Sequence, residues 1–403
     1  MKIGIIREGK IPPDSRVPLI PEQCAQITRN FPVKVVVQPS PKRCYPDEAY
    51  HHSNIQMQDD VSDCDLLMGV KEVPVDQLIA NKTYCFFSHT IKKQPYNRKL
   101  LQAILEKNIR MVDYETMVDD SGKRLIAFGK FAGMVGAHNA LLTYGKRTGL
   151  FQLKPMHECL DYAEAKSIYK TIQWPIAKIV LTGHGRVGLG AAEVLRDMGI
   201  KEVSPHNYLN KSYDEMVFTI LRSSDYIYRK DGLAFDTAYF YKNPAAHGCD
   251  FTPYYQQSDI MINGIYWDNN APPFFTIREM QSPDFKIKVI ADVTCDIAPL
   301  SSIPSTLRAS TISNPIFGFD PFTGQESEPH QVGVIDMMTI DNLPNEMPRD
   351  ASKAFGEQFI RHILPEFLQA ESPLIDRATI AKNGSLCQRF AYLEDFVTEK
   401  CCE

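Results

Sequence analysis

Gly183, Gly185 and Gly188 stand at the spacing G-x-G-x-x-G, with Gly190 two residues further on. The chemistry this spacing serves is the binding of a dinucleotide pyrophosphate. The first glycine makes a tight turn, the second lets phosphate approach the backbone, and the third lets helix and strand pack closely. Phosphates then meet free N–H groups at a helix N-terminus, where the helix dipole favours negative charge. IVL precedes the turn and AAEVLRDM follows it, as a strand and a helix would; glycines used only for packing are the alternative. On the dinucleotide reading, Gly183, Gly185, Arg186, Val187 and Gly188 meet the pyrophosphate region. Such folds carry Asp or Glu about 20 residues on, bonded to the adenine ribose. Here the expected second strand reads VSPHNYLN, which puts Asn210 in that place and removes a barrier to a 2′-phosphate. NAD is the expected cofactor, and the missing carboxylate leaves NADP open as the alternative. The ten cysteines include no C-x-x-C pair, so they read as reduced thiols rather than metal ligands, with Cys401 and Cys402 in an exposed tail.

Elements must hold such a turn in place. Over the first 125 residues or so, KIGIIRE, VKVVVQ, DLLMGVKEV and TYCFFSHT alternate with helical runs such as PEQCAQITRNF, which implies βαβ units and a parallel sheet. AFGKFAGMVGAHNALLTYGKR suits a long helix packed closely against other helices. DIMINGIYW and KIKVIADVT would extend a second parallel sheet behind the glycine turn. The aromatic-rich segment 211–257 has no role that the sequence reveals. Phe355, Phe359, Ile363 and Phe367 recur every four residues and give one apolar helical face.

The 403 residues, 44% of them hydrophobic, suggest two or three domains at roughly 150 residues each. With 44 Lys+Arg against 49 Asp+Glu the net charge is −5, which argues against a nucleic-acid partner. No stretch approaches the roughly 20 apolar residues of a membrane span, so no membrane partner and a cytoplasmic location are expected. Oligomeric state is not readable.

RVPLIPEQ at Arg16, GVKEVP at Lys71, SHTIKKQ at His89, DYETMVDDSGKRLIAFGKFAG and DNLPNEMPRDAS occur in that order around the glycine turn. This set resembles the saccharopine dehydrogenases that form L-lysine and the related lysine–2-oxoglutarate reductases, within the alanine dehydrogenase and transhydrogenase superfamily. The resemblance implies an α/β fold of two Rossmann-like parallel-sheet domains with an interdomain cleft. It places a substrate and catalytic domain at 1–130 plus 330–403, and a dinucleotide-binding domain at 131–329. It also implies that lysine and 2-oxoglutarate are joined and the resulting imine reduced by a nicotinamide cofactor, or the reverse. ADVTCDIAP and FDPFTGQESEPH look nearer to the reductase branch.

Forming and reducing an imine requires proton removal from an amine, proton delivery to a departing hydroxyl, and hydride transfer. The resemblance gives the two proton tasks to Lys71 and His89, without deciding which residue acts on nitrogen. Their types suit the work, since His titrates near neutrality and burial drives a Lys down in pKa. Glu72 would balance charge or face solvent. Saccharopine has three carboxylates, so Arg16, Lys92 and Arg124 are its expected clamps, joined by Gln94. Glu115 would meet a substrate ammonium, and Asp341 would close near the reacting centre. Ile265, Tyr266 and Asp292 would line the nicotinamide half of the cofactor. Amino-acid and 2-oxo-acid substrates are the expected partners. Two other functions compete: alanine dehydrogenase-like deamination of a small amino acid, and a non-catalytic dinucleotide sensor, which the paired Lys71 and His89 argue against.

Overall fold

The computed structural model describes residues 1–398, so Cys401 and Cys402 lie outside the described residues. Met1–Phe128 and the described residues from Pro348 onward form one compact unit, and Gly129–Met347 form a second.

In the first unit β1 (Lys2–Ile5), β2 (Lys34–Val37), β3 (Gln56–Met57), β4 (Leu66–Met68), β5 (Thr83–Phe86) and β6 (Arg110–Asp113) run parallel. Their order is β3-β2-β1-β4-β5-β6, and two late strands, Thr379–Lys382 and Ser385–Leu386, add antiparallel beyond β6. KVVV, LLM and TYCF read as apolar runs because helices cover both faces of the sheet. The helix Arg98–Glu106 turns Leu100, Leu101, Ala103 and Ile104 into one of these layers. On the opposite layer, Phe355, Phe359 and Ile363 are fully buried and Phe367 partly so. Their helix, Pro348–Gln358, passes through a π-turn at Phe359–Ile363 before Leu364–Phe367. Pro365 lacks the N–H that would bond the Arg361 carbonyl, which accounts for the widened turn just ahead of it.

The second unit contains β7 (Lys178–Thr182), β8 (Lys201–Glu202), β9 (Val217–Leu221), β10 (Ile227–Arg229), β11 (His247–Cys249), β12 (Ile260–Asn263), β13 (Val289–Asp292), β14 (Ile316–Asp320), β15 (Gln325–Ser327) and β16 (Ile335–Met338). Its eight-stranded sheet has the order β15-β14-β16-β13-β12-β7-β9-β8, with β10 and β11 paired apart. The sheet is parallel except at β14, which runs antiparallel to β15 and β16. Each unit is thus α/β and Rossmann-like, as expected from the sequence. Residues 330–347, grouped by sequence with the first domain, pack in the second because β16 pairs with β13 and β14.

The long helix is Gly129–Thr148, and it lies against the helix Arg186–Asp197. A Cβ on Gly133 would fall 1.8 Å from the Val187 carbonyl oxygen, so the two backbones touch. The expected second strand is corrected. β8 holds only Lys201–Glu202 at the sheet edge, and Pro205–Asn210 is a short helix. Ser204 accepts the Asn207 N–H and Pro205 opens the first turn, a helix start that overrides strand propensity. The strand beside β7 is instead β9, from the segment 211–257.

Candidate active site

Lys71 follows β4 and His89 follows β5, at the carboxyl ends of adjacent parallel strands. Lys71 Nζ stands 3.3 Å from His89 Nε2. On the other side of the ring, His89 Nδ1 lies 3.6 Å from Glu115 Oε2, and Arg124 donates to Glu115 Oε1 at 3.1 Å. Four side chains from the three connections after β4, β5 and β6 therefore form one chain of proton-bearing and charged groups. His89 adopts the left-handed conformation at φ 54°, a strained state for a residue with a Cβ and one that clusters at functional sites.

Two carboxyls hold this arrangement, and sequence reasoning missed both. Asp113, at the end of β6, accepts the Ser88 N–H at 3.0 Å and the Glu115 N–H at 2.7 Å, so it fixes the loops carrying His89 and Glu115. It also accepts from the Ser88 hydroxyl, and burial pushes its pKa up. Glu8, just beyond β1, accepts the Val70 and Lys71 N–H groups at 2.5 and 2.9 Å. Burial, then the nearby Asp14 carboxylate, push Glu8 up to about 8. Both follow buried strands on the side of a parallel sheet where ligands bind, the one signal that could have found them.

Electrostatics separate the groups further. Burial, followed by the charges of Arg16 and Lys10, drives Lys71 down to about 8. Burial works against ionisation of Glu115, but His89, Arg124 and Lys92 outweigh it and hold Glu115 down at about 2. Glu72 pairs with Lys10 at 2.7 Å.

The other substrate candidates do not all join this cluster. Arg16 is 2% exposed, gives Asp14 two hydrogen bonds of 3.0 and 2.6 Å, and lies over the Phe128 ring. Lys92 is exposed, and Gln94 accepts from the Tyr96 hydroxyl. Asp341 sits on an exposed turn of the second unit, before the 3-10 helix Leu343–Glu346.

In the second unit the glycine turn links β7 to the helix Arg186–Asp197. Gly183 has φ 99°, and a Cβ on Gly188 would fall 2.0 Å from the Gly183 carbonyl oxygen. Gly185, by contrast, faces open space at the helix N-terminus, where a Cβ would meet nothing within 4 Å. Arg186 beside it is exposed and Val187 half-buried. This is a cradle that a side chain would fill, and its residues fit a pyrophosphate. Asn210 is not on a strand beside the turn; it ends its helix and turns its amide onto the His206 carbonyl at 2.8 Å. Arg222 follows β9 instead, with Nη2 3.5 Å from His184 Nε2 of the glycine turn. Asp292, expected to face the cofactor, is fully buried. It accepts from Asn263, Thr294 and Thr306 at 3.0, 2.7 and 2.7 Å, tying together the ends of β12 and β13. Ile265 and Tyr266 follow β12, and the Tyr266 ring is 83% exposed.

The fold is that of an α/β protein, and residues 4–135 match the family model described as alanine dehydrogenase/PNT, N-terminal domain. The particular relatives sharpen that class. The chain is 30% identical to the mitochondrial alpha-aminoadipic semialdehyde synthase of Mus musculus over 94% of its own length and 46% of that protein. It thus spans about half the length of that relative. Against the saccharopine dehydrogenase (NAD(+), L-lysine-forming) of Emericella nidulans it is 24% identical, over 91% of this chain and 92% of the other. A solved L-alanine dehydrogenase shares the fold, with a TM-score of 0.66 at 14% identity, covering 98% of this chain and 99% of that one. The resemblance carried by the ordered motifs is borne out.

Proposed function

We propose that this protein is an NAD(P)-dependent oxidoreductase of an amino-acid C–N bond that interconverts saccharopine with L-lysine and 2-oxoglutarate. The observation that carries this reading is the contact of Lys71 with His89 at 3.3 Å, continued to Glu115 and Arg124. In the reductive direction the lysine ε-amine adds to the ketone carbon and loses a proton. The ketone oxygen takes up a proton to become a hydroxyl, and a second proton lets that hydroxyl leave as water, giving a protonated imine that hydride converts to the secondary amine. Lys71, held near pKa 8, accepts and returns a proton in the neutral range, and His89 passes it on, braced by Glu115. Arg124 and Lys92 supply positive charge for the substrate carboxylates. Gly183, Gly185 and Gly188 hold the dinucleotide, whose reduced nicotinamide supplies the hydride when bound. Similarity to the semialdehyde synthase and saccharopine dehydrogenase supports this substrate set. The eight described cysteines are free thiols, which supports a reducing, cytoplasmic setting, and among the described residues no helix is long and apolar enough to cross a membrane.

The test is an absorbance assay with NADH and NADPH. Oxidation is expected with lysine and 2-oxoglutarate together. Oxidation with pyruvate and ammonia but none with lysine would point instead to an alanine dehydrogenase-like reaction.

A further inference from the structure

A hollow of about 840 Å³ lies in the first unit, on the face of the sheet away from the Lys71 and His89 cluster. Ile6, Val61, Val73, Ile79 and Tyr84 give it apolar walls, and all five pack in the layer that holds Leu100 and Ile104. Phe87, stacked on His89 with ring centroids 6.2 Å apart, belongs to the opposite layer, as does Phe128 beneath Arg16. The hollow also stands where the order of the sheet turns back. β2 and β3 build out on one side of β1 and β4, β5 and β6 on the other, while Ile6 follows β1 and Val73 lies beyond β4. Open α/β sheets receive ligands at such a point, past the carboxyl ends of the strands. The rim carries charge of both signs. Arg7 donates to the Asp59 carboxylate, and both side chains are exposed. Gln38 fixes their separation: its Oε1 accepts the Arg7 N–H at 3.1 Å, and its amide donates to the Asp59 carbonyl at 2.8 Å. An exposed ion pair contributes only about 0–1 kcal/mol, so a ligand carrying the same two charges can open it at little cost. Within the walls, Tyr84 is 1% exposed and its hydroxyl oxygen accepts the Ile79 N–H at 2.9 Å, while its own proton meets no acceptor among the described residues.

We propose that this hollow binds a free α-amino acid with an apolar side chain, at a site separate from those for substrate and dinucleotide. Arg7 takes the α-carboxylate on its forked guanidinium, Asp59 takes the α-ammonium, and the side chain lies among Ile6, Val61 and Val73. Occupancy reaches Lys71 through two short paths. Arg7 adjoins Glu8, which accepts the Val70 and Lys71 N–H groups, and Val73 stands two residues beyond Lys71. The two segments also touch, since a Cβ on Gly9 would fall 2.7 Å from both Pro74 Cγ and Gln77 Oε1. Filling the hollow therefore tightens the contact of Glu8 with the Lys71 backbone, which makes the amino acid an effector of the chemistry at Lys71.

The test uses the full chain with L-leucine as the probe, read by calorimetry. Saturable one-to-one binding is expected, and saturating L-lysine should leave it in place. L-Leucinamide and 4-methylpentanoate, which each lack one of the two charges, should bind far more weakly. Arg7→Met and Asp59→Asn, both at exposed positions, should each weaken L-leucine about tenfold to a hundredfold, the range of a lost hydrogen bond to a charged group. Deuterium exchange read by mass spectrometry should show the Val70 and Lys71 amides slowed by L-leucine in the unaltered protein and not in Arg7→Met. Absence of saturable heat with L-leucine overturns the proposal, as does unaltered affinity in both variants. Displacement of L-leucine by L-lysine also overturns it, because that result places the probe in the substrate site. Binding as expected with amide exchange unchanged overturns the link to Lys71. None of these readouts requires turnover, so they stand apart from the substrate assay and its outcome.

Discussion

Lys71 and His89 meet through Nζ and Nε2, and the other ring nitrogen faces a carboxylate held at about 2. Removing either proton carrier should therefore harm chemistry far more than cofactor binding. Lys71→Met and His89→Gln are each expected to lower kcat by about 10²–10⁴ while leaving the dissociation constant for NADH nearly unchanged. Stopped-flow turnover and fluorescence titration separate the two effects; loss of NADH binding in both variants would remove these residues from the assigned roles. The neutral amine of Lys71 grows as pH rises toward about 8, so kcat/KM in the amine-condensing direction should climb and break near that value. The break should disappear in Lys71→Met. Glu115 has the opposite linkage. Its folded pKa lies below the ordinary carboxyl value, so its stabilisation is present above pH 4.5 and is lost as pH falls toward 2. Allowing for solvent screening, that stabilisation is on the order of 2 kcal/mol, and denaturant melts of Glu115→Gln should lose this acid dependence. Of these residues, Lys71, His89, Glu115 and Arg124 were legible only as members of ordered motifs, because a single Lys or His on a chain of this length is ordinary. Glu8 and Asp113 were not legible, since a carboxyl after a short apolar run looks the same whether it faces water or two loop N–H groups.

At the scale of elements, the contact between the helices Gly129–Thr148 and Arg186–Asp197 supports the glycine turn from behind. Gly133→Ala would drive a methyl into the Val187 carbonyl, which belongs to the turn's own helix. It is expected to destabilise the second unit by about 1–3 kcal/mol or more and to weaken NADH binding, as measured by denaturant unfolding and titration. An unchanged midpoint would mean that the helices separate at little cost. The long helix was readable from its small residues, and β1, β2, β4, β5, β12 and β13 from their apolar runs. The edge of the second sheet was not. β14 and β16 are antiparallel neighbours joined through the hairpin to β15, a long-range pairing that no local pattern announces. Asn210 was misplaced for a related reason: VSPHNYLN contains a serine cap and a proline start, and these local signals favour helix over strand.

At the scale of the molecule, a near-balanced charge hides a local gathering of Lys10, Arg16, Lys92 and Arg124, whose fields act on Lys71 or Glu115 in the first unit. The second unit holds the glycine cradle. One unit thus offers proton carriers and cations for acidic substrates, and the other offers the features of a dinucleotide site. A bound dinucleotide at a hundredfold its dissociation constant should stabilise the fold by about 2.7 kcal/mol, seen as a rise in Tm. The most direct test of the central claim follows the hydride. The protein is incubated with reduced nicotinamide dinucleotide deuterated on both faces of C4, with lysine and with 2-oxoglutarate, and the products are resolved by mass spectrometry. The expected product is saccharopine carrying one deuterium on the carbon that was the ketone. Lysine recovered unchanged, with deuterium absent from any secondary amine, would contradict the account.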